Sequence, residues 1–150
     1  MEMIAEERLE SLKAGLIGGL SAGLAFLITT VVNGLLLNQY FSTLNINQFQ
    51  LINLQFLLSA GIAGFSGFLF GVTYRYIIRV DKNPQLKSYA ALAFGLVRGL
   101  NQIEFGWNVN NTLLPFLILG GESIFWFALA AFVLDTAISL NWLKPFSSKF

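Results

Sequence analysis

The sequence predicts an all-α polytopic membrane protein, a bundle of four spanning helices. Of its 150 residues, 55% are hydrophobic and only 11% are charged. A soluble domain usually carries about 25% charged residues, so this chain has too little polar surface to enclose a water-soluble core of its size. The apolar residues also form four separate runs, each near or above the ~20 residues that a helix needs to cross a bilayer.

These runs set the predicted domain boundaries. The four spans are predicted at about 14–37, 51–78, 86–105 and 113–140. Together they make up a membrane domain over 14–143, between an N-terminal interfacial segment, 1–13, and a C-terminal tail, 144–150.

The first two elements follow from spacing and charge. Ile4, Leu9 and Leu12 lie at roughly helical spacing, which predicts an interfacial helix that leads into the first span. The stretch 14–37 carries no charge at all, so it is predicted to cross the bilayer.

Prolines mark the boundaries of the later spans. Pro84 cannot continue the second helix and biases Asn83 towards an extended conformation, so a turn is predicted between the second and third spans. Pro115 lies in the first turn of the fourth span, where a missing N–H costs nothing.

The charges of the connecting segments alternate along the chain. Segments 38–50 and 106–112 contain no charged residue, whereas every Lys and Arg except Arg98 falls on the opposite side of the predicted bundle. The positive-inside rule assigns that side to the cytoplasm. We therefore expect both termini on the cytoplasmic side of a bacterial plasma membrane or a thylakoid.

Small residues recur every fourth position in three of the spans. They form the series Gly15, Gly19, Gly23; Ala63, Gly67, Gly71; and Ala91, Gly95, Gly99. Positions i and i+4 stack on one helix face, so each series predicts a flat, glycine-zipper-like groove that lets another helix approach closely. Packing within the monomer is the first interpretation, and docking of another chain is the alternative.

Ionisable groups inside the predicted spans indicate an intramembrane polar cluster. Counting ~1.5 Å per residue places Arg98 and Glu122 at similar depths on adjacent antiparallel helices, which predicts an ion pair. Gln102 and Asn33 are the predicted hydrogen-bond partners of this cluster. The pair either fixes helix register or marks a site for proton or ion transport.

A second ion pair is predicted near the inner surface. Asp135 lies close to that surface, where Arg75, Arg79 or Lys87 would neutralise it.

Composition excludes several kinds of chemistry. The chain has no Cys and no His, so it lacks the usual thiol and imidazole nucleophiles, bases and metal ligands. It also has no Gly-rich phosphate loop, serine triad or paired carboxylates. The prediction is a non-enzymatic protein with no metal and no cofactor, although lipid or pigment contact stays open. A net charge of +1 gives no reason to expect a nucleic-acid partner.

Two resemblances bear on the setting. Four spans with stacked glycines resemble the mitochondrial inner-membrane translocase subunits in architecture only, because Arg79 and Asp81 do not match the signature of that family. The Phe-, Asn- and Gln-rich texture, with the stretch 97–104, resembles small uncharacterised four-span membrane proteins of cyanobacteria. The second resemblance implies a thylakoid or plasma membrane and an accessory role beside photosynthetic complexes.

Nearly all of the chain is predicted to lie in the bilayer, which leaves no room for a soluble catalytic domain. The expected function is therefore an accessory, scaffold or assembly subunit of a larger membrane protein complex. The expected partners are membrane lipid and either another protein or further copies of the chain. The alternative is a small oligomeric transporter or channel that uses Arg98 and Glu122.

Overall fold

All regular elements in the described part of the chain are α-helices. The computed structural model describes residues 2–40, 54–78, 83–110 and 114–146. The four helices are α1, Glu2–Tyr40; α2, Leu54–Ile78; α3, Pro84–Asn110; and α4, Leu114–Ser139. The all-helical class predicted from the sequence is confirmed.

Helix α1 is the longest element. Its 39 residues extend for roughly 58 Å at ~1.5 Å per residue, well above the ~30 Å of a bilayer core. The segment 2–13, predicted as an interfacial helix that leads into the first span, is part of the same continuous helix as that span. No proline interrupts this stretch, and Glu, Leu and Lys in it favour a continuous helix.

Three of the helices are long and apolar enough to cross a membrane. The qualifying stretches are Ile4–Leu35, Phe56–Ile78 and Leu117–Ser139. Helix α3 is not among them, since polar side chains such as Arg98, Asn101 and Gln102 interrupt its apolar run. The described residues thus contain three candidate spans, where the sequence predicts four.

The helices associate as two hairpins. Helix α1 packs most extensively on α2, and α3 packs on α4. Contacts between α1 and α4 join the hairpins, while α2 touches α3 and α4 less. The main core contains buried side chains from all four helices, with Phe70, Phe127 and Leu134 at its centre. A smaller cluster forms around Phe26 and Trp126.

Glycines occupy the points where the paired helices approach most closely. A methyl group on Gly71 would lie 2.1 Å from the backbone oxygen of Ala14, and one on Gly18 would lie 2.4 Å from that of Gly67. Any residue with a Cβ atom would separate the helices at these points. These contacts explain why α1 and α2 pack so closely.

The predicted small-residue series coincide with these contacts only in part. Gly15 lies against the ring of Phe68, and Gly19 lies near the Gly64 backbone, but a methyl group on Gly23 would meet no atom of another helix within 4 Å. Gly18, which belongs to no predicted series, makes the tightest glycine contact of α1. Continuous grooves that would admit another chain therefore stay a prediction.

The other two series lie at contacts within the chain. Gly67 and Gly71 face α1, whereas Gly95 and Gly99 face the α4 backbone at Ile124 and Gly120. Their alanine members, Ala63 and Ala91, are both buried.

A tight turn ends α4 and reverses the chain. Asn141 adopts a left-handed conformation, with φ 59°. The Trp142 amide donates to the Ala137 carbonyl at 3.0 Å, and the Asn141 amide donates to the Ile138 carbonyl at 3.1 Å. This is the Schellman pattern, in which asparagine tolerates the left-handed position. The turn directs residues 142–146, which we call the C-terminal segment, back towards the other helices.

Candidate functional site

Two hydrogen bonds on one turn of α4 join it to α1 and to α3. The Asn33 side-chain amide of α1 donates to the Glu122 carboxylate at 2.9 Å. The Ser123 hydroxyl donates to the side-chain oxygen of Gln102 of α3 at 3.1 Å. Consecutive residues point about 100° apart around a helix, so Glu122 and Ser123 face different neighbours. Three of the predicted cluster residues are thus interhelical hydrogen-bond partners.

Arg98, the fourth predicted member, does not pair with Glu122 among the described residues. Its guanidinium carbon lies 5.0 Å from the ring centroid of Trp126. This is a cation–π contact, worth about 0.5–2 kcal/mol depending on desolvation. Arg98 Nε and Trp126 Nε1 are both buried and have no hydrogen-bond partner in the described part of the chain. These two residues and their unpaired N–H groups are called the Arg98–Trp126 site below.

The difference from the predicted ion pair has a geometric cause. Glu122 and Trp126 are one helical turn apart on α4, so both lie at depths that Arg98 can reach. The rise per residue gives only the position of a residue along the helix axis, and not the direction in which its side chain points. Helix rotation directs Glu122 towards Asn33 of α1 and leaves the Trp126 ring beneath Arg98.

An aromatic layer fills the bundle next to this cluster. Phe70 of α2, Phe94 of α3 and Phe127 of α4 have ring centroids 5.2–5.7 Å apart. Phe70 and Phe127 are almost fully buried. Phe127 is four residues from Ser123, so the layer lies about 6 Å from the polar cluster. Sequence analysis did not identify this layer, because aromatic residues also occur on lipid-facing positions.

Asp135 takes part in a second polar group beyond the aromatic layer. Its carboxylate accepts from the Lys87 ammonium at 2.9 Å and from the Tyr74 hydroxyl at 3.0 Å. The predicted partner Arg75 bonds elsewhere, and Arg79 lies outside the described residues. Lys87, the third cation considered for Asp135, makes the contact because α3 packs on α4 while Arg75 points towards α1.

Arg75 is the most extensively bonded side chain in the described part of the chain. It is buried, with only 1% of its surface exposed. Its guanidinium forms an ion pair with the Glu7 carboxylate of α1. It also donates to the Glu7 carbonyl at 3.1 Å, to the Ser11 hydroxyl at 2.6 Å and to the Lys144 carbonyl at 2.9 Å. One side chain of α2 therefore holds both α1 and the C-terminal segment.

A further bond closes this network. Glu10 accepts from the Lys144 backbone amide at 2.9 Å and from the Lys13 ammonium at 2.7 Å. The Phe146 ring lies 5.7 Å from the Arg75 guanidinium carbon. Sequence analysis missed these partners. Residues 2–10 contain more acidic than basic side chains and lie on the same predicted side as Arg75. This acidic excess was the sequence signal for the ion pair with Arg75, because opposite charges on one side tend to pair.

The described residues contain no group of three or more acidic, His or Cys side chains that would hold a metal ion. The polar groups that the structure does assemble are hydrogen-bonding and ion-pairing groups. They can hold helices together, or they can bind a charged ligand.

Comparisons with known protein families, curated proteins and solved structures gave no match to this chain.

Proposed function

We propose that this chain is a non-enzymatic accessory, scaffold or assembly subunit of a larger membrane protein complex. In this proposal all four helices span the membrane and both termini lie on the cytoplasmic side. The observation that carries it is the closed interior of the bundle.

The described bundle has a filled centre. The aromatic layer of Phe70, Phe94 and Phe127 separates the Glu122 cluster from Asp135, which lies eight residues, or about 12 Å, beyond Phe127 along α4. Leu134 is also completely buried on that side. A polar route from one cluster to the other would have to pass through close-packed rings, so the polar groups are better suited to fixing helix positions than to conducting ions.

Exposed residues on the outer face of α3 support a role that involves partner proteins. Val97 and Leu100 of α3 are 72% and 60% exposed, as a lipid-facing or partner-facing helix requires. Asn101, on the same helix, is also exposed. Lipid offers no hydrogen bonds to an amide side chain, so a polar group of a neighbouring subunit would stabilise Asn101. The low hydropathy of α3 is thus explained if a partner covers this helix.

The resemblance noted for the stretch 97–104 suggests the setting of such a complex. We propose a thylakoid or bacterial plasma membrane, with the chain beside a photosynthetic complex. The absence of histidine argues against a role as a chlorophyll-ligating antenna protein, so any pigment contact would be through apolar side chains.

Purification with a mild detergent tests the accessory role. We expect a tagged chain to co-migrate with one or more other membrane proteins at fixed stoichiometry. Asn101→Leu should weaken this association if α3 faces the partner, whereas Val31→Ala, on the exposed face of α1, serves as the matched control. A chain that purifies alone, or only with copies of itself, contradicts the accessory proposal.

Reporter fusions test the proposed topology separately. Fusions after Lys13, within 81–87 and after Lys149 should report the cytoplasm, and fusions within 42–48 or 106–111 should report the opposite side. The reason is the asymmetry of Lys and Arg between the connecting segments. A reading on the opposite side for 81–87 would exclude four spans.

The alternative function is a small oligomeric transporter or channel. One observation favours it: Arg98 has no carboxylate partner among the described residues, and charges within apolar segments often mark transport routes. Because the monomer centre is filled, such a route would run between subunits. Proton or ion flux into vesicles that contain the purified chain, above that of empty vesicles, would favour this alternative.

A further inference from the structure

The Arg98–Trp126 site contains two buried N–H donors and no acceptor. Trp126 is 4% exposed, and its Nε1 atom is buried without a partner in the described residues. Arg98 Nε is buried in the same way, and the guanidinium lies over the Trp126 ring at 5.0 Å from its centroid. Two unsatisfied donors therefore belong to one pair of contacting side chains between α3 and α4.

The chemistry of these groups defines what would complete the site. The guanidinium and the indole N–H donate hydrogen bonds and accept none. Buried polar groups in folded proteins nearly always have a partner, and a guanidinium also favours a negative charge. The complementary group is an oxygen acceptor that carries negative charge, such as a phosphate or a carboxylate.

Among the described residues, the neighbouring acceptors of the chain do not bond Arg98 Nε or Trp126 Nε1. Glu122 accepts from Asn33, and the side-chain oxygen of Gln102 accepts from Ser123. Glu104 is exposed and lies six residues after Arg98, or about 9 Å along α3. An external acceptor is thus the group that fits the Arg98–Trp126 site.

Access to the site is from the side of α3. Arg98 as a whole is partly exposed, and its terminal nitrogens are not among the buried unpaired atoms. Val97 and Leu100, next to it on α3, present exposed apolar side chains. An acyl chain would contact these side chains while an attached anionic headgroup reached the guanidinium.

We propose that the Arg98–Trp126 site binds the phosphate or carboxylate group of an anionic ligand. A membrane lipid with an anionic headgroup is the source that the adjoining apolar surface favours. A free phosphate ion has the same chemistry, and the test distinguishes the two. The inference is independent of the accessory role, because a scaffold and a transporter could both carry such a site.

Fluorescence of Trp126 reports on the site directly. The chain has three tryptophans, so Trp107→Phe and Trp142→Phe leave Trp126 as the only indole. This chain is placed in phosphatidylcholine vesicles that contain a small fraction of lipid with brominated acyl chains, a short-range quencher. Brominated phosphatidylglycerol should quench Trp126 several-fold more effectively than brominated phosphatidylcholine at the same mole fraction.

Variants assign the preference to Arg98. Arg98→Gln should remove it, and Arg98→Lys, which keeps the charge without the planar fork, should retain part of it. Arg8→Gln removes one positive charge from an exposed position on α1 and should leave the preference unchanged. If Arg98→Gln does not fold, the comparison of the two lipids in the unaltered site and the Arg98→Lys result still decide the question.

A second measurement separates lipid from free anion. Inorganic phosphate is added to vesicles of phosphatidylcholine alone, and Trp126 emission is followed. A phosphate-dependent change that Arg98→Gln abolishes, without a preference between the lipids, assigns the site to a free anion. Equal quenching by the two lipids together with no response to phosphate overturns the proposal, as does a lipid preference that Arg98→Gln leaves intact.

Discussion

Arg75 allows a quantitative test of how the bundle is held together. Its guanidinium bonds to α1 through Glu7 and Ser11 and to the C-terminal segment through the Lys144 carbonyl. The side chain has no exposed surface. Arg75→Met keeps a similar volume but leaves the Glu7 carboxylate without this cation, and the Lys144 carbonyl without a donor.

The expected magnitude follows from these bonds. Removal of one partner from a buried ion pair costs about 3–5 kcal/mol, because the remaining charge is no longer compensated. Glu7 is 32% exposed at its side chain, so water compensates part of this loss. We therefore expect Arg75→Met to lower the free energy of unfolding by about 3 kcal/mol, roughly a 100-fold change in the folded-to-unfolded ratio.

Arg75→Lys separates charge from geometry. A lysine keeps the positive charge, but its compact ammonium does not reproduce the planar fork that bonds Glu7, Ser11 and Lys144 together. Each lost hydrogen bond to a charged group is worth about 1.5–3 kcal/mol, so this variant should lose about 2 kcal/mol. The positive charge of lysine, without the planar geometry of the guanidinium, should therefore preserve only part of the stability that Arg75→Met loses.

Reversible unfolding in mixed detergent micelles with increasing dodecyl sulfate measures these changes. Limited proteolysis with chymotrypsin gives a second readout, since cleavage after Leu143, which is only 1% exposed, should become faster in both variants. Arg8→Met, at an exposed position of α1, is the control and should change stability by no more than about 0.5 kcal/mol. If Arg75→Met were as stable as this control, Arg75 would not hold α1 and the C-terminal segment.

Three further predictions use the same unfolding assay. Gly71→Ala should lower the free energy of unfolding by about 1–3 kcal/mol, because the new methyl group would lie 2.1 Å from the α1 backbone. Gly61→Ala is the control: its methyl group would meet nothing within 4 Å, so this change should be neutral or slightly stabilising. Equal losses of stability in the two variants would show that close approach of the helices does not matter. In double-mutant cycles with leucine, Asn33 and Glu122 should show a coupling of about 0.6 kcal/mol or more, as interhelical hydrogen bonds in membranes do. Arg98 and Glu122 should be additive within about 0.5 kcal/mol, and strong coupling between them would restore the predicted ion pair.

The helices were largely predictable from the sequence. The predicted spans at about 51–78 and 113–140 differ by at most three residues at either end from α2, Leu54–Ile78, and α4, Leu114–Ser139. Each helix satisfies its own backbone hydrogen bonds, so a long apolar run is sufficient to predict it. The same local signal did not show that α1 continues unbroken from Glu2 through its charged first turns.

The inner network was predictable only in part. The proximity of Asp135 to a cluster of cations follows from the order of the spans, but the choice among those cations does not. Lys87 bonds Asp135 because α3 and α4 form one hairpin, and Arg75 bonds Glu7 because α1 and α2 form the other. Pairing between helices depends on which faces meet, and this information is distributed over the entire bundle.

The sequence by itself determined the helical class, the approximate ends of the helices and the position of each polar residue along its helix axis, because these depend on local composition and on a constant rise per residue. Only the tertiary structure decided which residues meet at a given depth. Glu122 and Trp126 are one turn apart on α4, and both are within reach of Arg98 by depth alone. The packing of α4 against α1 and α3 fixes its rotation, directs Glu122 to Asn33 and places the Trp126 ring under the guanidinium.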